Sequence, residues 1–94
     1  MKTLRTYPLR VTELQYIELP RGAEGLSLQF QGKQLVLWAL VNPDLPDDTT
    51  MQVWLCGVGC RLPDTPGQYL GLVSCDAKIT LCGFLKLYVG SNIK

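Results

Sequence analysis

Leu26-Ser27-Leu28-Gln29-Phe30-Gln31-Gly32-Lys33-Gln34-Leu35-Val36-Leu37-Trp38-Ala39-Leu40-Val41 is the stretch whose reading decides the fold. Leu26, Leu28 and Phe30 alternate with Ser27, Gln29 and Gln31, the period of a half-buried strand. Gly32 can take the positive φ that a tight hairpin needs, so Gln31-Gly32-Lys33 reads as a turn. The run Leu35–Val41 is apolar on both faces. A short buried helix would share that pattern, but the hairpin upstream decides for a central strand.

The same two signals, alternation and turn chemistry, extend in both directions. Upstream, Tyr7, Leu9 and Val11 form one weak strand and Gln15–Leu19 another, with Pro8 placing the first at a sheet edge. The linker Pro20-Arg21-Gly22-Ala23-Glu24-Gly25 has room for one helical turn. Downstream, the prolines and acids of Asn42–Thr49 make a loop. Met51, Val53 and Leu55 then alternate with Gln52, Trp54 and Cys56. Arg61–Gln68 is a second Pro/Gly/Asp loop. Tyr69–Cys75 and Ile79–Val89 form a hairpin around Asp76-Ala77-Lys78. The expectation is a single all-β domain over residues 1–94, a small sandwich or partly open barrel of about seven short strands. Trp38, Trp54, Phe84 and Tyr88 are read as core or inter-sheet packing. Trp38→Ala should then cost about 3–5 kcal/mol.

Composition narrows the function classes. The chain has 94 residues, 47% of them hydrophobic and 18% charged, with a formal net charge of +1. That is enough apolar material for one core and too little charge for disorder. The charges are scattered, so no basic block exists to grip phosphates and no acidic run to imitate DNA. Met1–Pro8 carries charge but no apolar stretch of signal-peptide type, and Leu35–Val41 is far short of a bilayer span of roughly 20 residues. The expected setting is the cytoplasm, where the four cysteines would be reduced thiols.

The segment Cys56-Gly57-Val58-Gly59-Cys60 draws the eye first. Joined with Cys75 and Cys82 it could suggest zinc, but six residues stand between Cys75 and Cys82 across a hairpin, unlike the usual knuckle. Four separate buried thiols are the plainer reading. A Cys56–Cys60 disulfide is not expected, because four steps of extended strand span roughly 13 Å and a disulfide tolerates about 7 Å between Cα atoms. Only a tight turn at Gly57-Val58-Gly59 would bring the two together. The chain has no histidine, which removes Cys-His and Ser-His-Asp catalysis and histidine-ligated metals together. Gly57-Val58-Gly59 is too short for a dinucleotide fingerprint. Asp44, Asp47 and Asp48 lack the spacing of a calcium loop and read as a solvated turn. No cofactor and no metal is expected, and the protein is read as a non-enzyme.

Several short motifs recur together in this order: Pro20-Arg21-Gly22-Ala23, Leu37-Trp38-Ala39-Leu40-Val41, Gly57-Val58-Gly59 and Tyr69-Leu70-Gly71-Leu72-Val73. Their order and spacing resemble a group of small phage and prophage proteins of unknown function, over nearly the whole chain. Two positions depart from that pattern. Cys60 stands where the group has a histidine after Gly-x-Gly, and Leu85-Lys86 stands where it has Trp-His. No catalytic role is carried over. The resemblance implies a phage-encoded accessory protein acting in the cytoplasm of the infected host. On that footing the expected function is binding to a host component and interfering with it, as an inhibitor of antiviral defence. The means would be occlusion of a host protein complex or sequestration of a small signalling nucleotide, with a homo-oligomer as one possible form. Arg61 and Lys86 are the expected anion contacts. Loops 42–50 and 60–68, carrying Asp44, Asp47 and Asp48, are the expected recognition surface, with Tyr16 and Tyr69 nearby. The alternative class is a minor structural or assembly component of the phage particle. Nucleic acid and membrane are not expected partners.

Overall fold

Leu35, Leu37, Ala39 and Val41 are buried to 1% exposure or less, and they set the plane around which the molecule is built. A computed structural model describes residues 1–75 and 79–88. It holds seven strands, β1 (Thr3–Leu9), β2 (Leu14–Leu19), β3 (Glu24–Gln31), β4 (Gln34–Val41), β5 (Thr49–Gly57), β6 (Gln68–Cys75) and β7 (Ile79–Leu87), and no helix among the described residues. They form two antiparallel sheets, ordered β1-β4-β3 and β2-β5-β7-β6. The sheets pack face to face as a sandwich and do not close into a barrel. The expected turn at Asp76-Ala77-Lys78 and the expected strand end at Val89 fall outside the described residues, and β7 ends at Leu87.

The deciding stretch behaves as its pattern requires. Gln31 pairs with Gln34 across a two-residue turn in which Gly32 has φ +65°, and β4 is the central strand of its sheet. Pro8 sits on β1, an edge strand, where its missing N–H breaks no ladder. In the Pro20–Ala23 linker the chain makes a turn rather than a helical one, with Ala23 N–H donating to Pro20 O at 3.1 Å and Gly22 at φ +81°. Val11 falls beyond the end of β1, between the two sheets' first strands.

The core is aliphatic. Leu9, Leu19, Leu28, Leu35, Leu37, Val53, Leu55, Leu70 and Leu85 form one buried cluster, with Tyr7 and Phe30 packed against it. Two glycines let the sheets approach this closely. A Cβ on Gly83 would strike the side chain of Leu28, and one on Gly25 would strike Leu85 and Leu70. Among the described residues, Gln15 is the one buried polar side chain. Its Oε1 accepts from Arg10 N–H at 3.1 Å and its Nε2 donates to Arg10 O at 2.7 Å. The amide thus satisfies the backbone where the chain crosses from one sheet to the other. At the other side, Gln68 Nε2 donates to Gly25 O at 2.7 Å and ties β6 to β3.

The aromatic residues overturn an expectation. Trp38, Trp54 and Phe84 are only partly buried and Tyr88 is exposed, and none of them belongs to the inter-sheet cluster. Trp38 pairs with Thr6 on one side and Ser27 on the other, on the outer face of β4. Its Nε1 donates to Gln29 Oε1 at 2.8 Å. The reason is that β4 is apolar on both faces, so alternation alone leaves its inward side unspecified. A register shift between Gly25 and Ser27 likewise leaves Leu26 exposed while Leu28 and Phe30 point inward.

Candidate functional site

With Met51, Val53 and Leu55 facing the core, the alternate residues of β5 must face outward. Trp54 is opposite Leu14 of β2 on one side and Phe84 of β7 on the other, and Phe84 is opposite Tyr69 of β6. Leu14, Trp54, Phe84 and Tyr69 therefore form an unbroken apolar row across all four strands of the larger sheet. Tyr69 and Phe84 touch with ring centroids 5.5 Å apart. One row along, Tyr16 is opposite Gln52, which is opposite Lys86. Tyr16 packs edge-on against Tyr88 at 4.8 Å. Beyond them, Thr50 Oγ1 donates to Glu18 Oε2 at 2.7 Å.

This face is accessible. Tyr69 is 58% exposed, Leu72 64% and Tyr16 48%. Trp54 differs: its Nε1 is covered and has no hydrogen-bond partner. Trp54 is thus a ring wedged between neighbours rather than a hydrogen-bonding group. Tyr16, Trp54, Tyr69 and Phe84 stand on a four-stranded ladder rather than on loops. Chemically the face offers apolar contact and stacking with few charges, the composition of the centre of a protein interface.

The residues singled out in the sequence are only partly assembled here. Tyr69 and Lys86 lie on this face. Lys86 Nζ donates to Thr65 O at 3.0 Å and to Thr65 Oγ1 at 3.4 Å, so the ammonium pins the loop between β5 and β6. Arg61 is exposed in that loop, and among the described residues its guanidinium has no ion pair or hydrogen bond. Asp44, Asp47 and Asp48 sit in the loop joining the two sheets. Asn42 Oδ1 accepts from Asp44 N–H at 3.0 Å, and Asp47 pairs with Arg5 of β1 at 3.8 Å. Thr49 Oγ1 donates to Asp48 at 3.5 Å. These are turn-stabilising contacts on the β4–β5 loop. Leu14, Trp54, Phe84 and Tyr88 were not singled out as surface residues. The signal was present: Val53 and Leu55 mark the core parity of β5, and Trp54 stands between them.

The cysteines bring a second correction. Cys56 and Cys60 are joined by a disulfide, with Cα atoms 5.6 Å apart. The extended-strand span does not apply, because β5 ends at Gly57. Cys60 N–H donates back to Gly57 O at 3.2 Å, and Gly59 takes φ +85°. The tight turn is the one conformation that brings the pair within reach. Cys82 of β7 is opposite Cys56. Among the described residues no group of three or more His, Cys, Asp or Glu side chains is placed to hold a metal ion. No helix there is long and apolar enough to cross a membrane.

Fold and face together define the class: a two-sheet antiparallel β-sandwich that carries most of its aromatic surface on the outside of the larger sheet. Within that class, the chain belongs to the DUF7352 family, a domain of unknown function, which matches residues 1–79. No curated protein and no solved structure matches it. The match spans β1 to β6, so Leu14, Trp54, Tyr16 and Tyr69 fall inside it and Phe84 and Lys86 lie beyond.

Proposed function

We propose that this protein is a non-enzymatic accessory protein of phage type, which binds a host protein and blocks it by occlusion. The outer face of β2-β5-β7-β6 is its contact surface. The observation that carries the reading is the row Leu14–Trp54–Phe84–Tyr69, which keeps aromatic area in water where the core does not need it. Exposed apolar patches of this kind on small domains mark interaction sites, and Tyr and Trp supply contact area at low entropic cost. The interfering role in an infected cell, with an antiviral-defence complex as target, rests on the resemblance to small phage proteins. Occlusion is favoured over nucleotide sequestration, because Lys86 hydrogen-bonds to Thr65 and Arg61 lies in the β5–β6 loop, away from the aromatic row.

One observation favours a second reading, a structural component of the phage particle. Edge strands are normally blunted by charge or proline. β1 has Arg5 and Pro8, β2 has Glu18 and β3 has Glu24, while β6 (Gln68–Cys75) has neither a charge nor a proline and is interrupted only by a register shift between Tyr69 and Gly71. That edge could pair with another chain on assembly.

The test is affinity capture from host extract by the wild type and by the Tyr16→Ala/Tyr69→Ala variant, followed by titration of the identified partner. Blocking predicts one partner enriched by the wild type only, recovered unmodified, and inhibited in proportion to the protein added. Inhibition by far less than one equivalent with a modified partner would reveal an enzyme. Presence in purified particles with no host partner would favour the structural reading.

A further inference from the structure

Three cysteines meet at the end of the aromatic face, one on each of β5, its terminal turn and β7. The turn at Val58-Gly59 bonds Cys60 to Cys56. The antiparallel register places Cys82 directly opposite Cys56. Cys82 is unbridged, and its Sγ lies 3.6 Å from Cys56 O, so its side chain leans over the Cys56 backbone. Directly opposed antiparallel residues have Cα atoms roughly 4.5–5.5 Å apart, inside the range of about 4.4–6.8 Å that a disulfide accepts. By register, then, Cys56 faces two cysteines, Cys60 bonded to it in the turn and Cys82 opposite it across the ladder.

From this juxtaposition we infer that Cys56, Cys60 and Cys82 form one thiol–disulfide exchange site, in which Cys56 alternates between two disulfide partners. In the forward step the Cys82 thiolate attacks Cys56 Sγ. The Cys82–Cys56 S–S bond forms as the Cys56–Cys60 bond breaks, and Cys60 departs with the electron pair as a thiolate. The proton lost by Cys82 is regained by Cys60. No oxidant or reductant is consumed, since one disulfide and one thiol stand on each side.

The two isomers differ in what they hold and what they expose. With Cys56–Cys60 closed, the turn is clamped to β5. With Cys56–Cys82 closed, β5 and β7 are cross-linked and the turn is held only by its backbone hydrogen bond. The freed Cys60 then opens on a hollow of about 230 Å³ lined by Val11, Thr12, Glu13, Leu55, Gly57 and Leu81. A small uncharged disulfide entering it would be attacked by the Cys60 thiolate, forming a mixed disulfide as its own S–S bond breaks and its other half leaves as a thiolate.

The experiment needs only the wild-type chain, air-oxidised and freed of small thiols and disulfides, equilibrated near neutral pH, quenched in acid, unfolded, labelled with N-ethylmaleimide and mapped by peptide mass. The expected result is label divided between Cys60 and Cys82, with Cys56 unlabelled throughout. Two variants separate the bridges. Cys82→Ser should abolish label at Cys60, and Cys60→Ser should leave Cys56 and Cys82 both unlabelled because they bond to each other. Label confined to Cys82 in the wild type would overturn the inference. So would label on all three cysteines after oxidation, or label on both Cys56 and Cys82 in Cys60→Ser.

Discussion

The two faces of β5 differ more than any two regions of the molecule. Inward, Met51, Val53 and Leu55 meet Leu9, Leu28 and Leu37 in a layer made almost wholly of aliphatic side chains. Outward, Gln52, Trp54 and Cys56 join a face built of rings, a lysine and sulfur. The inner layer is so closely spaced that Gly25 and Gly83 are needed to admit neighbouring leucines. A tryptophan has no room there. Aliphatic residues therefore hold the sheets together, and the rings outside are available for another task. The lesson is that the largest apolar residues of a small sandwich need not mark its core.

That contrast can be broken most forcefully from the inside. Leu37 is fully buried, so Leu37→Ala should lower stability by about 2–5 kcal/mol, the range for a truncated core leucine, in urea unfolding. Gly83→Ala should cost about 1–3 kcal/mol through overpacking against Leu28, with an unchanged urea slope. If either were neutral, the inner layer would be looser than described. Trp38 sharpens the comparison from the outer face of the smaller sheet. Being half-buried, it should lose about 1–2 kcal/mol on replacement by Ala, roughly half the value for full burial. A loss above about 3 kcal/mol would return it to the core class. On the larger sheet, Trp54→Phe removes an N–H that has no acceptor along with part of a half-buried ring, so the relief of the one offsets the loss of the other and stability should change by less than about 1 kcal/mol. A larger loss by thermal or urea unfolding would show that the ring is packed more deeply than its partial burial indicates or that its N–H is satisfied in solution.

Much of the fold was legible because strands and turns write themselves locally. Alternation in Leu26–Gln31 and Met51–Cys56, and Gly32 at the hairpin, needed no long-range information. What could not be read is what local pattern leaves open. β4 is apolar on both faces, so nothing in Leu35–Val41 says that Trp38 points outward. The shift at Gly25/Ser27 moves Leu26 out of phase without leaving a mark in composition. Strand order is a matter of pairing between distant segments, and so is the row Leu14–Trp54–Phe84–Tyr69, whose members lie on four different strands. The Cys56–Cys60 bond was missed for a different reason, the assumption that the strand continues through Gly57-Val58-Gly59 when it in fact ends there. Of the residues singled out for binding, Tyr69 and Lys86 reach the aromatic face, whereas Asp44, Asp47, Asp48 and Arg61 belong to loops.

The most direct measurement compares the affinity of a purified, identified partner for two variants. Tyr16→Ala/Tyr69→Ala should bind at least about tenfold more weakly, since removing tyrosines at an interface centre costs about 2 kcal/mol or more. Its urea midpoint should stay close to wild type, because both rings are exposed. Arg61→Ala/Asp44→Ala should bind as the wild type does. Full affinity in the tyrosine variant, with binding lost in the loop variant, would contradict the account and move the contact surface from the sheet to the loops.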